Sequence, residues 1–374
     1  MRSRWAPAAR FCLRQARLLV AVPLVCFASV VHAQLALTPQ QPQAENPITP
    51  PKPHRAAKPA AARSPAPSAP AAAAAAPGAA PPSPAAAPGG DDEPDAAFAA
   101  FQRGYYLTAF SLATKRVADK GDPKSMTLLG QLYALGMGVP QNDGKAADWF
   151  TLAANRGDRN AMFALGMFRM SGRAGPRDRD AAAKWLAAAA KLGHLTASYD
   201  LGLLYVEGQL FPQDYSRAAE LFRAAADGGV PEAQYALGTL YRDGNGVPKD
   251  AREAARLLGL AAEAGLVDAE VEYGIALFNG DGVAKNEAVA IGLFHQAALR
   301  GNPVAQDRLA RIFATGTGAA KDAVQATKWH LISKASGETD LMLDDFVTGL
   351  DANTRAAGEK AAQPWLDALK RPPS

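Results

Sequence analysis

Behind a column of Asp and Asn residues, apolar side chains recur at i, i+3, i+4 and i+7. Ala146, Trp149, Phe150 and Ala153 are followed by Ala182, Trp185, Leu186 and Ala189, and then by Ala218, Leu221, Phe222 and Ala225. This spacing lays one apolar stripe along a helix and leaves the rest of its surface polar. Each set lies 36 residues beyond the last, so one amphipathic helix is written repeatedly. Between these helices runs a second periodic segment, opening on Ser125, Ala161, Ala197, Ala233, Ala269 and Ala305. Leu129, Leu165, Leu201, Leu237, Tyr273 and Leu309 follow four positions on. The pattern predicts six units of two short helices, the first helix of the first unit running from Ser125 to Leu135.

Glycine punctuates the same period. Gly130, Gly166, Gly202, Gly238 and Gly274 fall inside the first helices, where glycine costs about 1 kcal/mol against alanine. Their return predicts that a neighbouring helix packs directly on the backbone there; Ala310 breaks the column in the last unit. Gly136, Gly172, Gly208, Gly244, Gly280 and Gly316 suit the left-handed residue that stops a first helix, and Gly157, Gly193, Gly229, Gly265, Gly301 and Gly337 close the second. Asn142, Asp178, Asp214, Asp250, Asn286 and Asp322 stand where a second helix needs its N-cap, and Asp122-Pro123 and Asn302-Pro303 read as a cap followed by proline at the first helical position.

The run A-x-Y-x-L-G-x-L-Y-x-x-G-x-G-V-P-x-D is nearly complete from Ala233 to Asp250. It resembles the Sel-one-like repeat family, a 36-residue relative of the tetratricopeptide repeat, and the likeness extends over residues 125–340. It implies an all-α fold: an α-solenoid of six helix-turn-helix repeats with capping helices, acting as a scaffold or adaptor for other proteins. Arg169, Ala174 and Leu210 depart from the motif and put the local shape of the second and third units in question. Residues 95–124 are expected to form an irregular leading pair, with helices over Asp95–Arg103 and Leu107–Asp122. Residues 341–374 are expected to cap the other end around Phe346, Leu350, Trp365, Leu366 and Leu369.

The resemblance also implies that first helices line a concave groove. Positions 3, 4, 7 and 10 of each unit then face it: Phe163, Met167 and Met170, then Tyr199, Asp200 and Leu203, then Tyr235, Thr239 and Arg242. Glu272, Ile275 and Phe278 follow, and then Asp307, Arg308 and Arg311. Such a groove is apolar early and charged late, with Met and aromatic side chains suited to an adaptable peptide surface. Tyr199 and Tyr235 also suit packing between adjacent repeats.

The N-terminal quarter has a different composition. Arg2, Arg4, Arg10, Arg14 and Arg17 precede an apolar run from Leu18 to Val31, and Val31-His32-Ala33 offers a small-residue cleavage pattern. Residues 1–33 therefore read as an export signal peptide, too short in its apolar run to span a bilayer comfortably. Residues 34–94 are dominated by Pro and Ala and have too little apolar bulk to offset the entropy of ordering, so a disordered tether is expected. Without the leader the 40 basic residues fall by five to 35 against 36 acidic, a net charge of about −1, and the case for a nucleic-acid partner disappears. Both cysteines, Cys12 and Cys26, leave with it.

Candidate chemistry is sparse. His194, His295 and His330 share no repeat column, and no metal-ligand spacing, phosphate loop or nucleophile motif is present; Gly244-Gly246 and Gly280-Gly282 join helix to helix. The acidic pair Asp344-Asp345 reads as surface. The sequence is that of a non-enzymatic protein expected in the periplasm or secreted, with no cofactor or metal. Its expected partner is a protein, such as a membrane receptor or an envelope assembly protein, in signalling or exopolysaccharide production. In a second reading it is a glycan- or cell-wall-binding module, in which Tyr199, Tyr235, Trp149 and Trp185 stack on sugar rings. Trp149 and Trp185, expected in the buried column of second helices, argue against it.

Overall fold

The structure, a computed structural model, describes residues 96–370, which form sixteen helices and no strand. The leader and the Pro/Ala-rich segment lie outside the described residues. Two helices lead, α1 (Ala96–Gln102) and α2 (Tyr106–Lys120). Six units follow, pairing α3 (Pro123–Leu135) with α4 (Asp143–Ala154), α5 (Arg159–Ser171) with α6 (Arg179–Lys191), and α7 (Leu195–Glu207) with α8 (Tyr215–Asp227). The array continues as α9 (Pro231–Asp243) with α10 (Ala251–Glu263), α11 (Val267–Asn279) with α12 (Glu287–Leu299), and α13 (Pro303–Thr315) with α14 (Ala323–Ala335). Then come α15 (Leu341–Thr348) and α16 (Ala352–Leu369). Each helix packs on its successor in the array, and α16 lies along α14.

The punctuation works as its chemistry requires. Gly136, Gly172, Gly208, Gly244, Gly280 and Gly316 end the first helices in the left-handed conformation, each donating its N–H to a carbonyl one turn back. Asn142, Asp178, Asp214, Asp250, Asn286 and Asp322 accept main-chain N–H groups at the start of the second helices, each cap being worth about 1 kcal/mol.

The glycines inside first helices are slots for side chains of the paired second helix. A methyl group added at Gly130, Gly202 or Gly274 would sit 2.6, 2.6 or 2.7 Å from the ring of Phe150, Phe222 or Phe294, and at Gly166 or Gly238 it would press on Leu186 or Leu258. The helix-interior cost of glycine is thus offset by burying a Phe or Leu side chain, a gain of about 1.5–3 kcal/mol each. In the sixth unit Ala310 is fully buried and the matching second-helix position carries His330.

The departures at Ala174 and Leu210 resolve differently. Ala174 stands in the column of Gly138, Gly246, Gly282 and Gly318 and keeps their backbone, with φ of 57°. Left-handed backbone costs a non-glycine residue about 1–2 kcal/mol, so Ala174→Gly is expected to raise stability by about 0.5–1 kcal/mol, read as a higher urea midpoint at unchanged slope. Leu210 instead becomes half-buried against the core that holds Met170 and Leu204, beside Phe211, whose ring stacks on Tyr205 at 4.8 Å. There an apolar patch replaces the glycine turn.

Trp149 and Trp185 are half-buried rather than buried, both leaning on the core of the first two units. They stand one residue before Phe150 and Leu186, about 100° around the helix from the side chains that enter the glycine slots, and so lie on the flank of the stripe.

Candidate functional site

Successive first helices present a common face, and side chains three or four residues apart on each helix line up along it. At its N-terminal end the ring of Phe163 stacks on His194 at 4.4 Å between centroids. His194 is the N-cap of α7: its Nδ1 accepts the N–H of Ala197 at 3.1 Å. It does what Asp122, Asp158 and Asn302 do at the same step of the period, a role this column makes legible and the sequence reading missed. Burial is the main effect lowering its pKa below the usual 6.5, with the charge of Arg159 adding to it. Only the neutral ring accepts, so the cap is intact above 6.5 and is lost as pH falls through the lower folded value.

Met167 is half-buried on this face. Met170 is not on it: only 6% exposed, it belongs to the core with Ala182, Leu186 and Leu204. It stands four residues after Gly166, hence on the same side of α5, and turns with that glycine toward the second helix. Position 10 therefore points outward only where a longer side chain reaches past the core, as at Arg242 and Phe278, both half-buried.

Tyr199 and Leu203 lean on the core built around Phe222, with the Tyr199 ring 5.7 Å from that phenylalanine, and Tyr235 leans on Ala261, Ala262 and Ala269. Both tyrosine rings are partly committed to core packing, Tyr199 against Phe222 of its own repeat and Tyr235 against a cluster that includes Ala269 of the next. Thr239 donates its hydroxyl to the Ala236 carbonyl.

Asp200, between Tyr199 and Leu201, has a buried Oδ2 with no hydrogen-bond partner. Burial first, and then the charge of Glu232, pushes its pKa up to about 7 from the usual 3.8. A raised carboxyl pKa gives stability that is full below 3.8 and drains away as pH rises to about 7. Asp200→Asn is therefore expected to melt with the parent near pH 4, to exceed its Tm by an amount that grows up to about pH 7, and to hold that margin above. A margin independent of pH would show that the carboxyl is solvated.

The charged half of the face is internally paired. Arg242 on α9 reaches Glu272 on α11 at 2.6 Å and Asp243 at 2.9 Å, and Arg311 reaches Asp307 at 3.2 Å and Asp340 at 2.5 Å. Similar ties join other neighbouring units: Arg173 with Asp143 at 2.5 Å, Arg179 with Glu207 at 2.8 Å, and Arg300 with the buried Glu270. In the pairs Arg173 with Asp143, Arg179 with Glu207 and Arg242 with Glu272 the partners stand 28 or 30 residues apart. A charged stripe in the sequence is thus largely a set of clamps between repeats. Between α11 and α13 the structure brings together Ile275, Phe278, Arg308 and Arg311, which with Met342 of α15 line a pocket of about 220 Å³.

The other histidines among the described residues are structural. His295 meets Trp329 edge-on at 5.9 Å. His330, 2% exposed, bonds through Nε2 to Asp344 at 2.8 Å, and Lys334 joins the same carboxylate at 2.5 Å. Asp344 therefore fastens α15 to α14, and hydrogen bonds from Lys334 and then His330 hold its pKa low. Among the described residues no group of three or more His, Cys, Asp or Glu is placed to hold a metal ion, and no helix is long and apolar enough to cross a membrane.

The family model described as Sel1 repeat matches six consecutive blocks, residues 123–158, 159–194, 195–230, 231–266, 267–302 and 303–337. This chain belongs to the Sel1 repeat family. The blocks account for more than half of it, and each begins at the first residue of a first helix. Among solved structures it is similar to a protective antigen present in uropathogenic Escherichia coli strains that displays an SLR fold, with 26% identity and a TM-score of 0.61. That match covers 73% of this chain and 60% of the antigen, so the chain spans about three-fifths of the antigen's length. A Sel1 repeat protein from Oxalobacter formigenes is 27% identical with a TM-score of 0.54, over 64% of this chain and 98% of that one. No curated protein matches the chain. Sel1 repeats are in general non-catalytic, and proteins built from them generally act as protein-interaction scaffolds.

Proposed function

We propose that this Sel1 repeat chain is an exported, non-enzymatic adaptor that holds a partner protein on its first-helix face in the bacterial cell envelope. The observation that carries the reading is the face itself. It runs from Phe163 and Met167 to the pocket beneath Met342, with partly exposed apolar and aromatic side chains presented by one rigid array. Rigid presentation lowers the ordering cost of binding. The Arg-rich start and apolar run within residues 1–33 support export, and the Pro/Ala-rich segment supports a tether that sets the array away from its N-terminal end. A membrane receptor or envelope assembly protein, in signalling or exopolysaccharide production, is the proposed class of partner.

The glycan reading is disfavoured by the commitment of Tyr199 and Tyr235 to core clusters and of Trp149 and Trp185 to the core of the first two units. Few flat rings remain for sugars. The test is cross-linking of the tagged full-length chain in envelope extract, with Met167→Glu as control. Leu203→Glu is less clean, because Leu203 leans on a core cluster. Capture of one protein that Met167→Glu loses, at unchanged Tm, is the expected result. Retention of glycan alone would put the structural-module reading in its place.

A further inference from the structure

The second helix of unit five, α12, departs from its counterparts. From Ala288 to Leu299 it carries no charged side chain, whereas α8 and α10 meet solvent with pairs such as Arg217 with Glu220 and Arg256 with Glu253. Its core side holds Ala290, Phe294, Ala297 and Ala298. The opposite side is free of charge too: Val289 and Leu299 are each 48% exposed, and Gly292 and Gln296 stand exposed between them. A helix that is apolar all round is ordinarily a buried one.

Gly292 breaks a second rule of this fold, in which a glycine inside a helix is a slot for a neighbour's side chain. The first-helix glycines take Phe or Leu, Gly259 meets the Tyr273 ring at 3.2 Å and Gly358 meets Thr327 at 2.4 Å, but a methyl at Gly292 has nothing within 4 Å among the described residues. Glycine weakens a helix interior against alanine, and no contact among the described residues offsets that loss. An open slot on an exposed, uncharged stripe lets another helix approach closely.

The stripe is also self-complementary. Val289 and Leu299 each stand five residues from Phe294, and Gly292 and Gln296 each stand two. Two copies of α12 laid antiparallel and centred at the level of Phe294 therefore set Val289 against Leu299 and Gln296 over the Gly292 slot. Each contact then occurs twice, as an isologous twofold interface requires, and no charge in the stripe meets its own copy. On the preceding second helix, α10, the exposed Arg252 and Glu263 lie six residues before and five after the equivalent Leu258. The same register turns Arg252 of one copy toward Glu263 of the other.

We propose that this chain forms a twofold homodimer through the solvent face of α12, antiparallel and centred at the level of Phe294. The inference goes beyond the adaptor reading and does not use the first-helix face, which stays open in both copies.

The test is sedimentation equilibrium of the full-length chain over about 5–300 µM, with a dimer of Kd about 10–100 µM expected. The association is weak because one helix pair and its flanks bury less than a standard interface. Gly292→Ala should act with opposite signs, raising the Tm of the dilute monomer by about 2 °C and weakening the dimer at least about fivefold. Val289→Glu and Leu299→Lys, both at exposed positions, should each weaken it at least about tenfold. The two together in one chain should restore it to within about threefold, since each glutamate then meets a lysine of the second copy, and added salt should reduce that recovery. A monomer throughout the range overturns the inference, and so does a dimer that none of these variants weakens. A dimer that the single variants weaken and the double variant does not restore overturns the antiparallel register. Capture of a partner through Met167 is read separately, so the two readings fail independently.

Discussion

Gly282→Ala is expected to lower Tm by about 10 °C, corresponding to a loss of roughly 3 kcal/mol or more. Two effects add. The residue has φ of 72°, which costs a side-chain-bearing residue about 1–2 kcal/mol. The new methyl would also sit 1.9 Å from the carbonyl oxygen of Ala251 and 2.2 Å from its carbonyl carbon. Backbone cannot rotate out of the way as a side chain can, so the loop and the start of α10 must separate. Ala251 is the first residue of α10, whose cap Asp250 accepts from Arg252 and Glu253, and displacing it loosens the contact by which one unit stacks on the last. Gly265→Ala is the control: φ is 85° there but nothing lies within 4 Å of the added methyl. It should show the conformational cost alone, about 1 kcal/mol. Thermal denaturation of both variants, followed by circular dichroism, separates the terms. Equal shifts would mean that the Gly282 loop is not a packing element.

The same contrast explains what was legible in the sequence. Features repeated at the 36-residue step were readable because each copy confirms the others: the helix pairs, the caps and the glycine slots filled by Phe150, Phe222 and Phe294. What escaped was set by a single unit or by the chain beyond the array. Met170 occupies a face position by count, yet its four-residue offset from Gly166 turns it into the core. His194 escaped because its column is mixed, with Asp122, Asp158 and Asn302 capping and Val230 and Leu266 not, and because an imidazole nitrogen accepts as an oxygen does. Arg242 and Glu272 read as groove charges separately, although they neutralise one another across two units. Of the candidate site, the run of first-helix positions was legible. The pocket was not, because α15 lies outside the repeat and no period places Met342 over Phe278.

Trp329→Ala is expected to cost about 3–5 kcal/mol and to release the C-terminal cap before the array melts. Trp329 is 1% exposed and is the largest fully buried side chain among the described residues. It meets His295 of the preceding unit at 5.9 Å and Trp365 of α16 at 5.8 Å, with the Lys328 ammonium 4.2 Å above its ring. It therefore joins two interfaces, unit five to unit six and unit six to the cap. Next to it α16 approaches α14 so closely at Gly358 that a methyl there would lie 2.4 Å from Cβ of Thr327. Such an approach leaves no slack for the cap to slide into the space the indole vacates. An end unit has a neighbour on one side only, so stability lost there cannot be shared as it is inside the array. Hydrogen exchange should find α16 amides the first to lose protection in Trp329→Ala, with α5 to α9 unchanged. Protection of α16 equal to the parent's would show that the cap is held without the indole.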